Sequence, residues 1–380
     1  MLETFEKDRL SLDEINRYSR HLIVPQIGLQ GQLKLKNSKV LVVGTGALGS
    51  PVLLYLAAAG VGTLGIIDFD KVEESNLQRQ VIHNTNSINR SKVESAKEQI
   101  NLINPNINII SIEDRLTSNN ALEIIKEFDL VVDGTDNFPT RYLINDACVL
   151  LHKPFVYGAI FRFEGQVSVF NKNGGACYRC LFKEPPAPGK VQSCAEAGVL
   201  GVLPGIVGTI QANEAIKLIL NIGESLDNRL LTLNALKMKF FEYKIEKNNE
   251  CPVCSKNPSI KELIDYNLFC GIEDNIDDII VDEIDLNELK AILENEDLQI
   301  VDIRENIKED EKLIKSSEQI DIKEILEDLS ILNNQKKVVL VCKIGLKSKE
   351  AIIKLKKAGY SGKIYSLKGG ITSLQNSIKE

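Results

Sequence analysis

Gly44-Thr-Gly-Ala-Leu-Gly49 ends an apolar run and opens an apolar helical pattern. Glycines at 44, 46 and 49 allow a tight turn that brings backbone N–H groups up to a phosphate, and a helix N-terminus behind them adds positive potential. Asp68 ends the next apolar run, at the spacing where a carboxylate takes a ribose hydroxyl. That much fits a nicotinamide dinucleotide. The charged residues beyond Asp68 do not. Arg79 and Lys92 are cations able to reach a triphosphate, and Asp136, in Asp133-Gly-Thr-Asp-Asn137, suits Mg2+, which binds through few carboxylates plus phosphates. A dehydrogenase has no use for that apparatus, and ATP becomes the preferred ligand.

Four of the eight cysteines form two CxxC pairs, Cys177/Cys180 and Cys251/Cys254. Each pair is short enough for two thiolates to grip one ion, and four thiolates suit a closed tetrahedral Zn2+ site with no open position for chemistry. The long gap between the pairs makes the ion a staple between distant segments. A single redox-active CxxC is the competing reading. Cys342 is different. It ends an apolar strand in Cys342-Lys-Ile-Gly-Leu-Lys-Ser348, just before a helix, where backbone N–H groups and the helix N-terminus would stabilise a thiolate or persulfide. Cys148 falls in an apolar helix pattern and reads as core. Cys270 has no assignable role, and His21, His83 and His152 show no ligand spacing and read as structural.

The elements that must position these groups alternate. Strand candidates are Val40–Val43, Leu64–Asp68, Ile107–Ile112, Leu130–Asp133 and Phe155–Tyr157, with helices starting near Gly49, Ser91, Asn120 and Arg141. This order predicts an α/β fold with a doubly wound, Rossmann-like, mostly parallel sheet. A β-rich portion comes next at Gln166–Phe170 and Leu230–Asn234, with a helix near Gly208–Leu220, and Pro185, Pro186, Pro188 and Gly189 mark an extended loop. Near Cys270 the character changes to an acidic stretch and then a second, smaller α/β pattern. It comprises strands Gln299–Ile303, Val338–Cys342 and Lys363–Ser366 and helix Ser348–Ala358. Two domains are expected, 1–272 and 273–380.

At 380 residues the chain is long for one ordinary core, and 43% hydrophobic with 26% charged residues is a soluble globular composition. A net charge of −7 argues against nucleic-acid binding, since no basic excess is available to neutralise phosphates. The uncharged stretch from Val40 to Ile67 is broken by Gly44, Gly46, Gly49, Gly60, Gly62, Gly65 and Pro51, which reads as a buried βαβ unit and not a membrane span. The N-terminal residues carry charges where a signal peptide needs an apolar core, so a reducing cytoplasm is expected.

Taken together, Arg17-Tyr-Ser-Arg20, the GTGALG loop, Ser75-Asn-Leu-Gln-Arg-Gln80, GTDN at 134–137 and Cys177-Tyr-Arg-Cys180 resemble the MoeB/ThiF family, relatives of the ubiquitin-activating enzymes, over about residues 10–270. The resemblance implies ATP bound by Gly44, Gly46, Ala47 and Gly49, by Asp68 and by Arg79 and Lys92. Asn76 and Asn137 stand beside them, and Asp136 matches the magnesium-associated aspartate. Ala47 replaces a frequent family glycine, without harm where only backbone is needed. Arg20 matches an arginine that reaches the phosphates from the other subunit of a homodimer, and the four cysteines match a structural zinc site. Cys194, in Gln192-Ser-Cys-Ala-Glu-Ala-Gly198, matches a nucleophile of rhodanese-fused members, while a small buried hydrophobe is the other reading. The Cys342 loop, with Val301-Asp-Ile-Arg304 upstream and Leu367-Lys-Gly-Gly370 behind, resembles the rhodanese active site over roughly 279–375. Two departures are plain: the glycine-histidine-isoleucine-proline turn of rhodaneses is absent around Ile314–Ile322, and no tryptophan comes after the late glycines. An inactive rhodanese module therefore stays open beside an active one.

The function this implies is ATP-dependent adenylation of the C-terminal glycine of a ubiquitin-like sulfur carrier, then transfer of persulfide sulfur to give a carrier thiocarboxylate. Expected partners are a Gly-Gly-ending carrier of the MoaD/ThiS type, a cysteine desulfurase as sulfur source and a second copy of the chain. The product would serve molybdopterin first, thiamine or other sulfur metabolism otherwise. Rival readings are an NAD-dependent oxidoreductase with a rhodanese tail and a non-catalytic module that docks a ubiquitin-like partner.

Overall fold

Alternation along β1 (Lys39–Val43) sets the larger layer structure. Val40 and Val42 face one apolar cluster and Leu41 and Val43 the other, all essentially buried, as expected of a strand covered on both sides. The structure is a computed structural model that describes residues 9–186, 197–271, 281–295, 298–304, 314 and 316–377. It divides into two compact units, Met1–Ile272 and Glu273–Glu380, each considered by itself.

The first unit carries an eight-stranded sheet in the order β3-β2-β1-β4-β5-β6-β7-β8. Strands β1, β2 (Thr63–Ile67), β3 (Asn108–Ile112), β4 (Leu130–Asp133) and β5 (Phe155–Phe161) run parallel. Strands β6 (Glu164–Phe170), β7 (Arg229–Asn234) and β8 (Lys239–Lys244) continue antiparallel. Helices Gly49–Ala59, Lys92–Ile103 and Leu203–Leu220 supply residues to the cluster on one face, and Ala121–Lys126 and Phe138–Leu150 to the cluster on the other. Strand order reverses between β1 and β4, and the region beyond the carboxyl ends of the strands at such a switch point is the usual ligand position in such sheets.

Sequence periodicity misses three strands. β8, Lys-Phe-Phe-Glu-Tyr-Lys, is the sheet edge with every residue exposed, so no apolar alternation marks it. The helix expected near Gly208 begins at Leu203, because Pro204 is tolerated in a first turn where its missing N–H costs nothing.

The second unit is a five-stranded parallel sheet in the order β11-β10-β12-β13-β9. Its strands are β9 (Asp282–Ile284), β10 (Leu298–Asp302), β11 (Ser317–Gln319), β12 (Lys337–Val341) and β13 (Ile364–Leu367). Val338 and Leu340 pack with Ile325, Ala351, Ile352 and Leu355 on one face, while Val339 and Val341 pack with Leu289 and Ile371 on the other. The short β9 and β11, three residues each, are the other two strands that periodicity misses. β11 forms where the missing glycine-proline turn would stand, so parallel pairing with β10 does not require that turn.

Candidate functional site: a nucleotide crevice, a four-cysteine cluster and a cradled cysteine

Gly44 sits at φ +88°, in the region that favours glycine, and its N–H donates to Ile67 O at 2.9 Å. A Cβ at Gly49 would lie 2.0 Å from Gly44 O, so the turn closes only with glycine there. Thr45 is fixed on three sides. Its N–H and hydroxyl donate to Asp68 Oδ2 at 2.8 and 3.0 Å, and its carbonyl lies 3.1 Å from His83 Nε2. Gly46 O accepts from the Ser50 hydroxyl at 2.7 Å and from the Ser50 N–H at 2.9 Å. The Gly46 and Ala47 N–H groups have no acceptor among the described residues. Unpaired N–H groups at a helix start are an anion cradle.

Asp68 does two tasks, since its other oxygen accepts from Asp70 N at 2.9 Å. The Lys92 ammonium, nearly buried, donates to Asp70 Oδ2 at 2.8 Å, so this cation is held and must exchange or share that partner to meet a phosphate. Arg79 donates from Nη1 to Ser75 O at 2.9 Å and is half-buried. The Asn76 side chain is buried and accepts from Glu73 N at 3.2 Å, which assigns it to the turn that carries Arg79. At the end of β4, Asp133 is fully buried against Arg141 Nε at 3.3 Å and Thr135 N at 2.9 Å. Asn137 caps the Phe138–Leu150 helix, accepting from Thr140 N at 2.9 Å. Asp136 is exposed and has no partner among the described residues. It is thus the carboxylate of this loop that remains available to a magnesium–phosphate complex, and the donor set fits that ion.

Cys177, Cys180, Cys251 and Cys254 converge, with all four sulfur atoms within 4.8 Å of one another. A tetrahedral zinc with bonds of about 2.3 Å needs sulfur–sulfur edges of about 3.8 Å. The separations are 3.9 Å for Cys177–Cys180, 3.5 Å for Cys177–Cys251 and 3.4 Å for Cys180–Cys254. The set fits zinc. Asn248 N adds a donor to Cys180 Sγ at 3.4 Å, the kind of outer contact that orients a thiolate ligand. Between the first two ligands, Arg179 is 1% exposed and makes a bidentate pair with buried Asp146 at 2.8 Å on both arms. Tyr266 also donates to Asp146, and Phe269 lies under the guanidinium. The staple is thereby tied to the Phe138–Leu150 helix, whose far end carries Asn137. Sequence reasoning passed over Arg141, Asn145 and Asp146. Their signal was polar residues interrupting an otherwise apolar helix.

In the second unit Cys342 is 2% exposed and its sulfur accepts from Gly345 N at 3.1 Å and Ser348 N at 3.4 Å. Gly370 backs the loop so closely that a Cβ there would meet Cys342 O at 2.3 Å, and Ile371 N donates to that carbonyl at 2.9 Å. N–H groups aimed at sulfur stabilise negative charge on it. Lys343 and Lys347 are exposed on the same loop. Cys148 and Cys270 are buried, with thiols pushed up by burial, Cys270 to about 11, which suits inert packing and not nucleophilic work. Cys194 lies outside the described residues.

A family model described as the ThiF family matches residues 18–253, which include the glycine loop, Asp136 and three of the four cysteines. The chain belongs to the ThiF family. A second model, described as a rhodanese-like domain, matches residues 285–377 around Cys342. A Mycobacterium tuberculosis protein named probable adenylyltransferase/sulfurtransferase MoeZ is 47% identical over 374 residues, covering 96% of this chain and 93% of its own. A Thermus thermophilus sulfur carrier protein adenylyltransferase is 51% identical over 269 residues, covering 70% of this chain and 99% of its own. Drosophila yakuba adenylyltransferase and sulfurtransferase MOCS3 is 40% identical and covers 97% of this chain and 85% of its own. A crystal structure of E. coli MccB with ATP shares the fold at TM-score 0.56 and 24% identity, over 66% of this chain and 76% of that one. The chain is accordingly an ATP-using adenylyltransferase joined to a rhodanese-like sulfurtransferase domain. The nicotinamide reading has no support in these matches. Among the described residues, no helix is long and apolar enough to cross a membrane.

Proposed function

We propose that the chain adenylates the C-terminal glycine of a ubiquitin-like sulfur carrier in the 1–272 domain and sulfurates it with the 273–380 domain. The observation that carries the first step is the pair of N–H groups at Gly46 and Ala47 that have no acceptor among the described residues, on a loop that Asp68 holds through Thr45. A carrier carboxylate oxygen attacks the α-phosphorus, the bond to pyrophosphate breaks, and an acyl-adenylate remains. Gly44, Gly46, Ala47 and Gly49 hold phosphate, Asp68 the ribose, and Arg79 and Lys92 offset the charge that develops. Bound at Asp136, Mg2+ would neutralise phosphate oxygens. Asn76 and Asn137 shape the turns that present Arg79 and Asp136.

Sulfur transfer is the second stage. The terminal sulfur of a Cys342 persulfide attacks the acyl carbon and the bond to AMP breaks, leaving an acyl disulfide. Cys194 attacks the Cys342 sulfur, releasing the carrier thiocarboxylate and a Cys194–Cys342 disulfide that a cellular thiol reductant returns to two thiols. The N–H cradle around Cys342 supports its role, and the names of the relatives support a sulfur carrier as substrate. A cysteine desulfurase supplies the sulfur, and molybdopterin synthesis is the first destination. Zinc at Cys177, Cys180, Cys251 and Cys254 is structural. We place the protein in the cytoplasm as a homodimer. Arg20, exposed on the N-terminal helical segment with exposed Leu12, Ile23 and Leu29, reaches the partner's phosphates.

Mass spectrometry of a Gly-Gly-ending carrier after incubation with Mg-ATP, the enzyme and a sulfur-loaded cysteine desulfurase tests the sequence of steps. Exchange of one carboxyl oxygen for sulfur is expected with wild type and absent with Cys342→Ser, which still forms adenylate. Full thiocarboxylate from Cys342→Ser would remove that residue from the scheme.

A further inference from the structure

His83 is 6% exposed, and its two ring nitrogens meet Thr45 O and Ser95 Oγ, neither of which the adenylation chemistry uses directly. Its ring joins three segments that each bring something to the phosphates. Nε2 lies 3.1 Å from the carbonyl of Thr45 in the glycine loop. Nδ1 lies 2.9 Å from the hydroxyl of Ser95, one turn after Lys92 on the Lys92–Ile103 helix. The ring itself comes just after the Ser75–Gln80 string that carries Arg79. A carbonyl only accepts, so Nε2 must carry the proton, Nδ1 is left as the acceptor, and the Ser95 hydroxyl donates to it. Burial beside the Lys92 ammonium keeps the ring neutral, which that pattern requires.

The consequence lies on the other side of the peptide. In a planar trans peptide the carbonyl of Thr45 and the N–H of Gly46 point in opposite directions. Drawing the carbonyl inward to His83 therefore turns the Gly46 N–H outward, where it has no acceptor among the described residues. Ser50 does the same for the next peptide by holding Gly46 O at 2.7 Å, which turns the Ala47 N–H outward.

We infer that His83, fixed in its tautomer by Ser95, is a positioning residue that aims the Gly46 N–H at the bound triphosphate. The inference rests on the adenylation reading above. It assigns a part in nucleotide binding to a buried side chain that acts through the Thr45–Gly46 peptide.

Mg-ATP binding measured directly by calorimetry, without a carrier, separates positioning from folding. His83→Leu, which removes the donor, is expected to weaken Mg-ATP by about tenfold, the scale of one preorganised hydrogen bond. His83→Gln, whose amide keeps an N–H, recovers most of that loss, and Ser95→Ala, which frees the ring to change tautomer, falls between. A purely structural role would lower the melting temperature of these variants and leave the Mg-ATP dissociation constant of the folded protein unmoved. That result would overturn the inference, and if His83→Leu does not fold, an unchanged dissociation constant in Ser95→Ala overturns it equally. Wild-type protein that binds no Mg-ATP would sink the adenylation reading and this inference together.

Discussion

At the scale of single residues, the groups most exposed to view in the sequence are those that do chemistry through their own side chains. Cysteines in pairs, a cysteine before a helix, and an acid ending a strand carry their meaning in type and spacing. The groups that hold them in place do not. Arg179 stands between two zinc-type ligands, where spacing gives it no role of its own, yet it is buried against Asp146, Tyr266 and Phe269. Its partner comes from 33 residues earlier, which no local pattern announces. Replacing it with methionine strands a buried carboxylate, and a loss of about 3–5 kcal/mol is expected in urea unfolding. His83 offers a pH signature. Its folded ring takes a proton only at about 4, against 6.5 for the ordinary ring, because burial opposes the charge. Above pH 6.5 both states are neutral and the full contribution is present. As pH falls toward 4 the unfolded chain binds a proton that the folded chain refuses, so stability is lost across that window. Unfolding free energy measured from about pH 7 to about pH 4 should fall less steeply in His83→Gln.

At the scale of elements, parallel strands buried on both faces are legible as apolar runs, and β1, β2 and β4 appear where their composition predicts, to within a residue. Edge strands are not, because β8 has no buried face to leave a period and β9 and β11 are too short for one. The loops that matter are set by backbone approach. Gly49→Ala would place a Cβ 2.0 Å from Gly44 O, so the glycine loop must reopen; if this loop holds the phosphates as proposed, Mg-ATP binding should fall by at least about tenfold while zinc content stays. In the second unit Gly370→Ala presses on Cys342 O at 2.3 Å, at a φ of +57° that already disfavours a side chain. Persulfide loading of Cys342, read by mass spectrometry, should drop in that variant with adenylation unchanged.

At the scale of the whole molecule, the ThiF-family match falls in the first unit and the rhodanese-like match in the second, and the sequence changes character near Cys270 between them. The proposed homodimer and the role of Arg20 rest on the family resemblance alone, since nothing in one chain's spacing marks what a second copy would supply. If Arg20 serves the neighbouring subunit, inactive Arg20→Ala and Asp136→Ala proteins should rescue one another when co-assembled. Random pairing gives mixed dimers with one intact site each, and activity should return to about a quarter of wild type. No recovery after verified mixing would confine each site to its own chain.

Adenylation is the step on which everything downstream depends. Pyrophosphate–ATP exchange should require a Gly-Gly-ending carrier and disappear in Asp136→Ala. Exchange that proceeds without a carrier, or that survives loss of the Asp136 carboxylate, would contradict it.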